Sequence, residues 1–157
     1  MDKKKYNNLI ILKMQKTIKL LLLILIISST AVAQTSKNVE IADLDAKSFK
    51  QKVWNFDKDN AVNRIGNLPI ILDFHATWCR PCKMLAPHLQ AIQNKYHGKL
   101  IIYRIDVDQE PQLAKLFNVQ AMPTVIFMGS KNKYKSELGY KEYDEIEMLV
   151  KSYFFSK

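Results

Sequence analysis

The chain has 157 residues, 48% hydrophobic and 25% charged, with four Gly and five Pro; this fits one globular domain and excludes collagen-like, repetitive and disordered architectures. Its formal net charge of +9 is unevenly placed, because residues 1–33 hold six lysines and one acid, leaving 18 basic and 14 acidic residues beyond them. That remaining surplus is modest and no basic stripe is interleaved with aromatics, so a nucleic-acid partner is not expected.

Leu20 to Ile27 is an unbroken apolar run, preceded by Lys16 and Lys19 and followed by Ser28, Ser29, Thr30 and Ala31-Val32-Ala33. A basic region, a short apolar region and a small-x-small exit predict a secretory signal over 1–33, cleaved after Ala33, with Met14 as an alternative start. The competing reading is an uncleaved membrane anchor. A spanning helix needs about 20 apolar residues, and Lys19 and Ser28 cut this run short of that. The mature domain is therefore expected to be 34–157, exported and periplasmic, where disulfides form and persist.

Along that domain, Gln34 to Ala42 reads as a leading strand or loop. Asp45 to Phe56 has apolar or aromatic residues at Phe49, Val53, Trp54 and Phe56 and predicts an amphipathic helix capped by Asp43 or Asp45. Asp57 to Asn67 reads as loop. Leu68 to Phe74 is an apolar run broken by one acid, the pattern of a strand buried on both faces. Met84 to Tyr96 places Leu85, Leu89, Ile92 and Tyr96 at helical spacing, closed by Gly98. Leu100 to Val107 predicts a second buried strand, Pro111 to Phe117 a short helix with Pro in its first turn, and Pro123 to Met128 a third strand. Lys133 to Leu138 predicts a polar edge strand and Glu142 to Phe155 a final helix. Strands alternating with helices imply an α/β fold with a mostly parallel centre and an antiparallel edge.

The chain's two cysteines, Cys79 and Cys82, stand three apart, at the junction of the strand ending at Phe74 and the following helix. There Cys79 faces unpaired N–H groups and the positive end of the helix dipole, which stabilise a thiolate. Cys82 is close enough to form a disulfide with it, so one sulfur can attack a substrate disulfide and the other resolve the mixed disulfide. Two alternatives stand beside this reading. A three-residue staple would close almost no chain entropy, and a metal site would need two further ligands from His75, His88 and His97.

Trp78-Cys79-Arg80-Pro81-Cys82-Lys83, preceded by Asp73-Phe74-His75-Ala76-Thr77 and followed by Met84-Leu85-Ala86-Pro87, Asp106-Val107-Asp108, Ala121-Met122-Pro123-Thr124 and Leu138-Gly139, resembles the thioredoxin family over about Phe49 to Phe154. The resemblance implies a thioredoxin fold, a central mixed sheet flanked by helices, with Pro123 in cis beside the dithiol. It implies that Met122 presents its backbone to an extended substrate, that Trp78 and Gly139 border the substrate groove, and that Pro87 kinks the active-site helix. Cys79 is expected to be the exposed attacking thiolate and Cys82 the resolving thiol. No cofactor and no metal are implied beyond the Cys79–Cys82 pair.

Asp73 lies inside the apolar run, where burial would raise its pKa and keep it protonated near neutrality; the plainer alternative is an acid reaching solvent at a strand end. In the family an acid at this position lies beneath the resolving cysteine and shuttles its proton, and Arg104 stands where a lysine often neighbours it. Two residues depart from the family's usual pattern. His75 replaces an aromatic residue and is read as a packing residue, and Arg80 replaces Gly between the sulfurs. Arg80 and Pro81 are the expected tuners of the redox potential, with Arg80 stabilising the Cys79 thiolate.

The resulting expectation is an exported, monomeric thiol:disulfide oxidoreductase that reduces or exchanges disulfides in client proteins and draws electrons from a membrane or exported donor. A disulfide-forming oxidase or isomerase on the same site, or a thioredoxin-fold binding or chaperone module, are the alternatives.

Overall fold

The computed structural model describes residues 13–19, 38–59, 61–129 and 133–156. Residues 13–19 form a short helix of exposed side chains, with the Thr17 hydroxyl donating to the Met14 carbonyl at 2.9 Å. The apolar run Leu20 to Ile27, the cleavage site after Ala33 and residues 34–37 lie outside the described residues. No helix among the described residues is long and apolar enough to cross a membrane.

From Ala42 onward the order is β1 (Ala42–Asp43), α1 (Ala46–Lys52), β2 (Ile70–His75), α2 (Arg80–Lys95), β3 (Ile101–Asp106), α3 (Pro111–Leu116), β4 (Thr124–Met128), β5 (Tyr134–Leu138) and α4 (Tyr143–Val150), ending in a π-helical turn (Lys151–Phe155). The sheet order is β1-β3-β2-β4-β5. β1, β3 and β2 are parallel, whereas β4 runs antiparallel to β2 and β5 antiparallel to β4. The expected mostly parallel centre is thus a sheet divided at its middle, since the reversal falls between β2 and β4 rather than at the edge.

β2 organises the packing. Side chains alternate across a strand, and Ile70, Leu72 and Phe74 enter one core with Phe49, Val53, Ile105, Leu113 and Phe117. Ile71 enters the other with Leu85, Leu89, Ile92, Ile102, Phe127 and Ile146. Full burial of such side chains contributes roughly 1.5–3 kcal/mol each. The period of two then places Asp73 and His75 on the same face as Ile71, toward α2. β3 obeys the same alternation, so Ile102 is followed on that face by Arg104 and Asp106. Only Ile102 and Ile105 of β3 are fully buried, Ile101 and Tyr103 being half-buried, so the strand is less enclosed than expected.

Several boundaries differ from expectation for local reasons. α1 is capped by Asp45, whose carboxylate accepts the Ser48 N–H at 2.7 Å, but it stops at Lys52, since Trp54 turns to bridge Arg64 across the loop. α2 begins four residues earlier than the apolar stripe, because Pro81 sits in its first turn, where a missing N–H costs nothing. Glu142 and Glu145 form a capping box at α4. Beyond Val150 the helix widens, Tyr153 and Phe154 packing on Phe127 and Phe155 stacking on Tyr96.

Candidate active site

The carboxyl ends of β2 and β3 and the N-terminus of α2 meet at the two cysteines. Cys79 and Cys82 form a disulfide, S–S 2.06 Å with Cα atoms 5.3 Å apart. Cys79 is the N-cap of α2; its amide donates to the Ala76 carbonyl at 3.1 Å and its sulfur accepts the Cys82 amide at 3.3 Å. A sulfur in this position satisfies one of the helix's unpaired donors and sits at the positive end of its dipole, the environment that lowers a thiol pKa. Ala76 is buried with the pair, and Val107 and Met122 pack against it. That packing leaves Cys79 only 4% exposed and Cys82 1%, so in the disulfide form Cys79 is less open than expected.

The front of the pair is apolar and accessible. Trp78 is 66% exposed and its indole N–H donates to Asp108 Oδ2 at 2.8 Å. The Met122–Pro123 peptide is cis. Thr124 Oγ1 donates to the Ala121 carbonyl at 2.6 Å, and the Gly139 amide donates to the Pro123 carbonyl at 2.8 Å. Gly139 has φ +88°, a left-handed backbone that glycine adopts without strain. Met122 thus packs against the pair, Trp78 adjoins Cys79 in the chain, and Gly139 is tied to the Met122–Pro123 segment through the Pro123 carbonyl.

The back of the pair opens on a cleft lined by charged residues. Cys82 lines a cavity of about 740 Å³ together with His75, Lys83, Arg104, Asp43 and Asp106. Behind Arg104 lies Asp73, fully buried, its Oδ2 3.5 Å from Arg104 Nε and neither carboxylate oxygen accepting a hydrogen bond. Burial pushes the Asp73 carboxyl up to about 6, with Arg104 holding it back from going further. The direction is the one expected of an acid inside an apolar run, and the guanidinium beside it offsets part of the desolvation.

The sequence model of the thioredoxin family matches residues 40–152. The chain belongs to the thioredoxin family. It is 33% identical over 111 residues to a thioredoxin of Borreliella burgdorferi, covering 71% of this chain and 95% of that protein. It is also 33% identical over 125 residues to the mitochondrial thioredoxin of Bos taurus, covering 80% of this chain and 67% of that protein. The crystal structure of chloroplastic thioredoxin z superposes with a TM-score of 0.60 at 22% identity, over 73% of this chain and 94% of that one.

As a thioredoxin the chain is a protein-disulfide oxidoreductase acting on disulfide-containing proteins, with the Cys79–Cys82 dithiol as its redox group and no cofactor. Among the described residues no group of His, Cys, Asp and Glu could hold a metal ion. Of the remaining sequence-predicted residues, Arg80 and Pro81 are exposed in the first turn of α2 and Pro87 lies inside that helix. His75 is buried, as a packing residue would be, yet its ring borders the cavity and its Nε2 lies 3.7 Å from Asp43 Oδ1. Two acids that sequence reasoning did not assign also stand at the site of this thioredoxin. Asp108 holds Trp78 and Asp43 faces His75; the Asp-x-Asp at the end of β3 signalled the first, while nothing local signalled the second.

Proposed function

We propose that this thioredoxin works as an exported reductant of disulfides in client proteins, with Cys79 attacking and Cys82 resolving. The observation that carries the assignment is the asymmetry around the pair. Cys79 caps α2 beside the exposed Trp78 and the cis Pro123, whereas Cys82 lies within the first turn and borders the polar cavity. A client's disulfide approaches from the front and is attacked by the Cys79 thiolate, and Met122 and Gly139 offer backbone groups to its extended chain. Asp73 takes the Cys82 proton, the new thiolate attacks Cys79 Sγ, and the client leaves reduced.

Export is supported by the basic, apolar and small-x-small pattern of residues 1–33, and a reductant in that compartment needs electrons from a membrane or exported donor. Arg80 makes it somewhat less reducing than a thioredoxin with Gly between its sulfurs, without turning it into an oxidase. The test is Cys82→Ala in the full chain. It should reduce no insulin but accumulate mixed disulfides with exported proteins, cleavable by dithiothreitol and absent from Cys79→Ala. Trapping by Cys79→Ala alone would reverse the roles, and trapped clients drawn only from the cytoplasm would defeat export.

A further inference from the structure

The parallel register assembles a polar row that no single strand displays. Asp43 of β1 pairs with Arg104 of β3, and Arg104 pairs with Asp73 of β2. One step further along the strands, Asp106 pairs with His75. Residues paired in a parallel sheet point to one face, and i and i+2 share that face, so all five lie on the side of α2; Asp43, His75, Arg104 and Asp106 line the cavity bordered by Cys82, and Asp73 lies buried behind Arg104. In this row His75 is 6% exposed and its Nε2 makes no hydrogen bond. A buried imidazole nitrogen normally has a partner; here the ring lines the cavity, with Nε2 3.7 Å from the exposed Asp43 and the buried Asp73 two residues back along β2.

The charges around the ring keep it in the form that accepts a proton. Burial and the neighbouring Arg104 hold the His75 pKa below the usual imidazole range, against the opposing pull of Asp106 and Asp43. Lys83, on α2, adds positive charge from the opposite wall, and Asp45 and Glu110 border the same cavity. Glu110 is already engaged by the Ala46 amide at 3.0 Å and Asp45 by the Ser48 amide. Asp43, its side chain 74% exposed, is the acid that connects the ring with bulk solvent.

We propose that His75 is a positioning residue for the resolution step, receiving from its neighbour on the same face of β2 the proton that Asp73 takes from Cys82 and releasing it into the cavity beside Asp43. The inference rests on the assignment of Cys82 as the resolving thiol. In balance, the Cys82 S–H bond breaks and its proton passes to the Asp73 carboxylate. The Cys82 sulfur bonds to Cys79 Sγ as the mixed disulfide breaks, and the client departs as a thiolate carrying the electron pair. Asp73 is restored to its carboxylate when the proton moves to His75 Nε2; the imidazolium yields it to solvent at Asp43, and the client thiolate takes a proton from solvent. The dithiol is oxidised, the client disulfide is reduced, and no further reactant is needed.

Rapid mixing of the reduced full chain with insulin separates the steps, the first attack being read in a Cys82→Ala background and resolution as client thiol released. His75→Ala and His75→Gln should each slow resolution about tenfold at pH 7, a fraction of what general acid–base catalysis supplies, and leave the first attack unchanged. Added imidazole should enter the vacated space in His75→Ala and restore the rate, whereas pyrazole, of the same shape but hardly basic, should not. His75→Gln fills the site without accepting a proton and carries the test independently of the space that alanine leaves. Wild-type resolution rates in His75→Gln, or rescue by pyrazole equal to that by imidazole, would overturn the relay alone. A wild-type chain that does not reduce insulin would overturn the reductase reading and the relay with it.

Discussion

The two sides of the disulfide are built from opposite materials. In front stand Trp78, Met122, Pro123 and Gly139, carried on loops, with an indole largely in solvent. Behind stand Asp73, His75 and Arg104, carried on two paired strands, with two of the three buried. Loops that must accept many extended segments gain from adaptable contact and lose little by exposure. A group that must move a proton needs a fixed environment, and strands in the middle of a sheet supply one. On the reading proposed above, one dithiol is served by a recognising face and a proton-handling face that share no side chain.

The largest expected effect joins both faces. Cys79→Ser should bring insulin reduction down to the uncatalysed background, because the attacking sulfur is the one atom that touches client and resolving thiol alike; residual turnover would show that Cys82 can attack from the cavity side.

Next comes Asp73→Asn, which alters only the back. The folded Asp73 pKa, about 6, lies above the 3.8 of an ordinary aspartate, so the native state binds this proton more tightly than the unfolded chain. Its contribution to stability is fully present below pH 3.8, is lost as pH rises toward 6, and is absent above. At 1.36 kcal/mol per unit, that loss is on the order of 3 kcal/mol. Denaturant titrations should therefore find Asp73→Asn more stable than wild type at pH 7, by an amount that shrinks through pH 6 to 4. Resolution should slow while the first attack persists. A stability difference independent of pH would mean that Asp73 titrates as a solvent-exposed acid.

Much of this division is readable in the sequence. The spacing of Cys79 and Cys82 after an apolar run places them at a strand–helix junction, and the isolated acid within Leu68 to Phe74 signals burial at Asp73. What is not readable is pairing across strands. Asp43, Arg104 and Asp73 are far apart in the chain, and a two-residue β1 leaves almost no periodicity to detect. For the same reason His75 reads as a packing residue, since its neighbours on the sheet are set by the register of β3 and not by anything beside it in sequence. The division of the sheet at β2–β4 is hidden too, because β4 is as apolar as a parallel strand.

Trp78→Ala sharpens the front. Its side chain is mostly in water and is anchored by a single bond to Asp108, so stability should change by no more than about 0.5 kcal/mol. The KM for protein clients should rise several-fold, with kcat for a small disulfide nearly unchanged. An equal loss on both substrates would indicate that the indole positions Cys79 rather than the client.

The smallest effect belongs to Arg80→Gly. Arg80 is exposed at the first residue of α2, and one partly screened charge should shift the midpoint by tens of millivolts at most, a tenfold change in the equilibrium being about 30 mV. Equilibration with glutathione should find the variant more reducing than wild type. A shift in the other direction would show that the guanidinium stabilises the disulfide instead of the thiolate.

The two-residue strand β1 makes the chemistry at the back sensitive to fraying. Asp43 is held to the sheet through its pairing with Arg104 and the adjoining bond from the Leu44 amide to the Arg104 carbonyl at 2.8 Å. Short edge segments open at a far smaller free-energy cost than the core strands they flank. Each such opening withdraws one carboxylate from the buried charges while leaving β2, β3 and the disulfide in place. An opening of the sheet's outermost strand would therefore vary the electric field felt by His75 without any global unfolding, and amide exchange at Leu44 would measure how often it occurs.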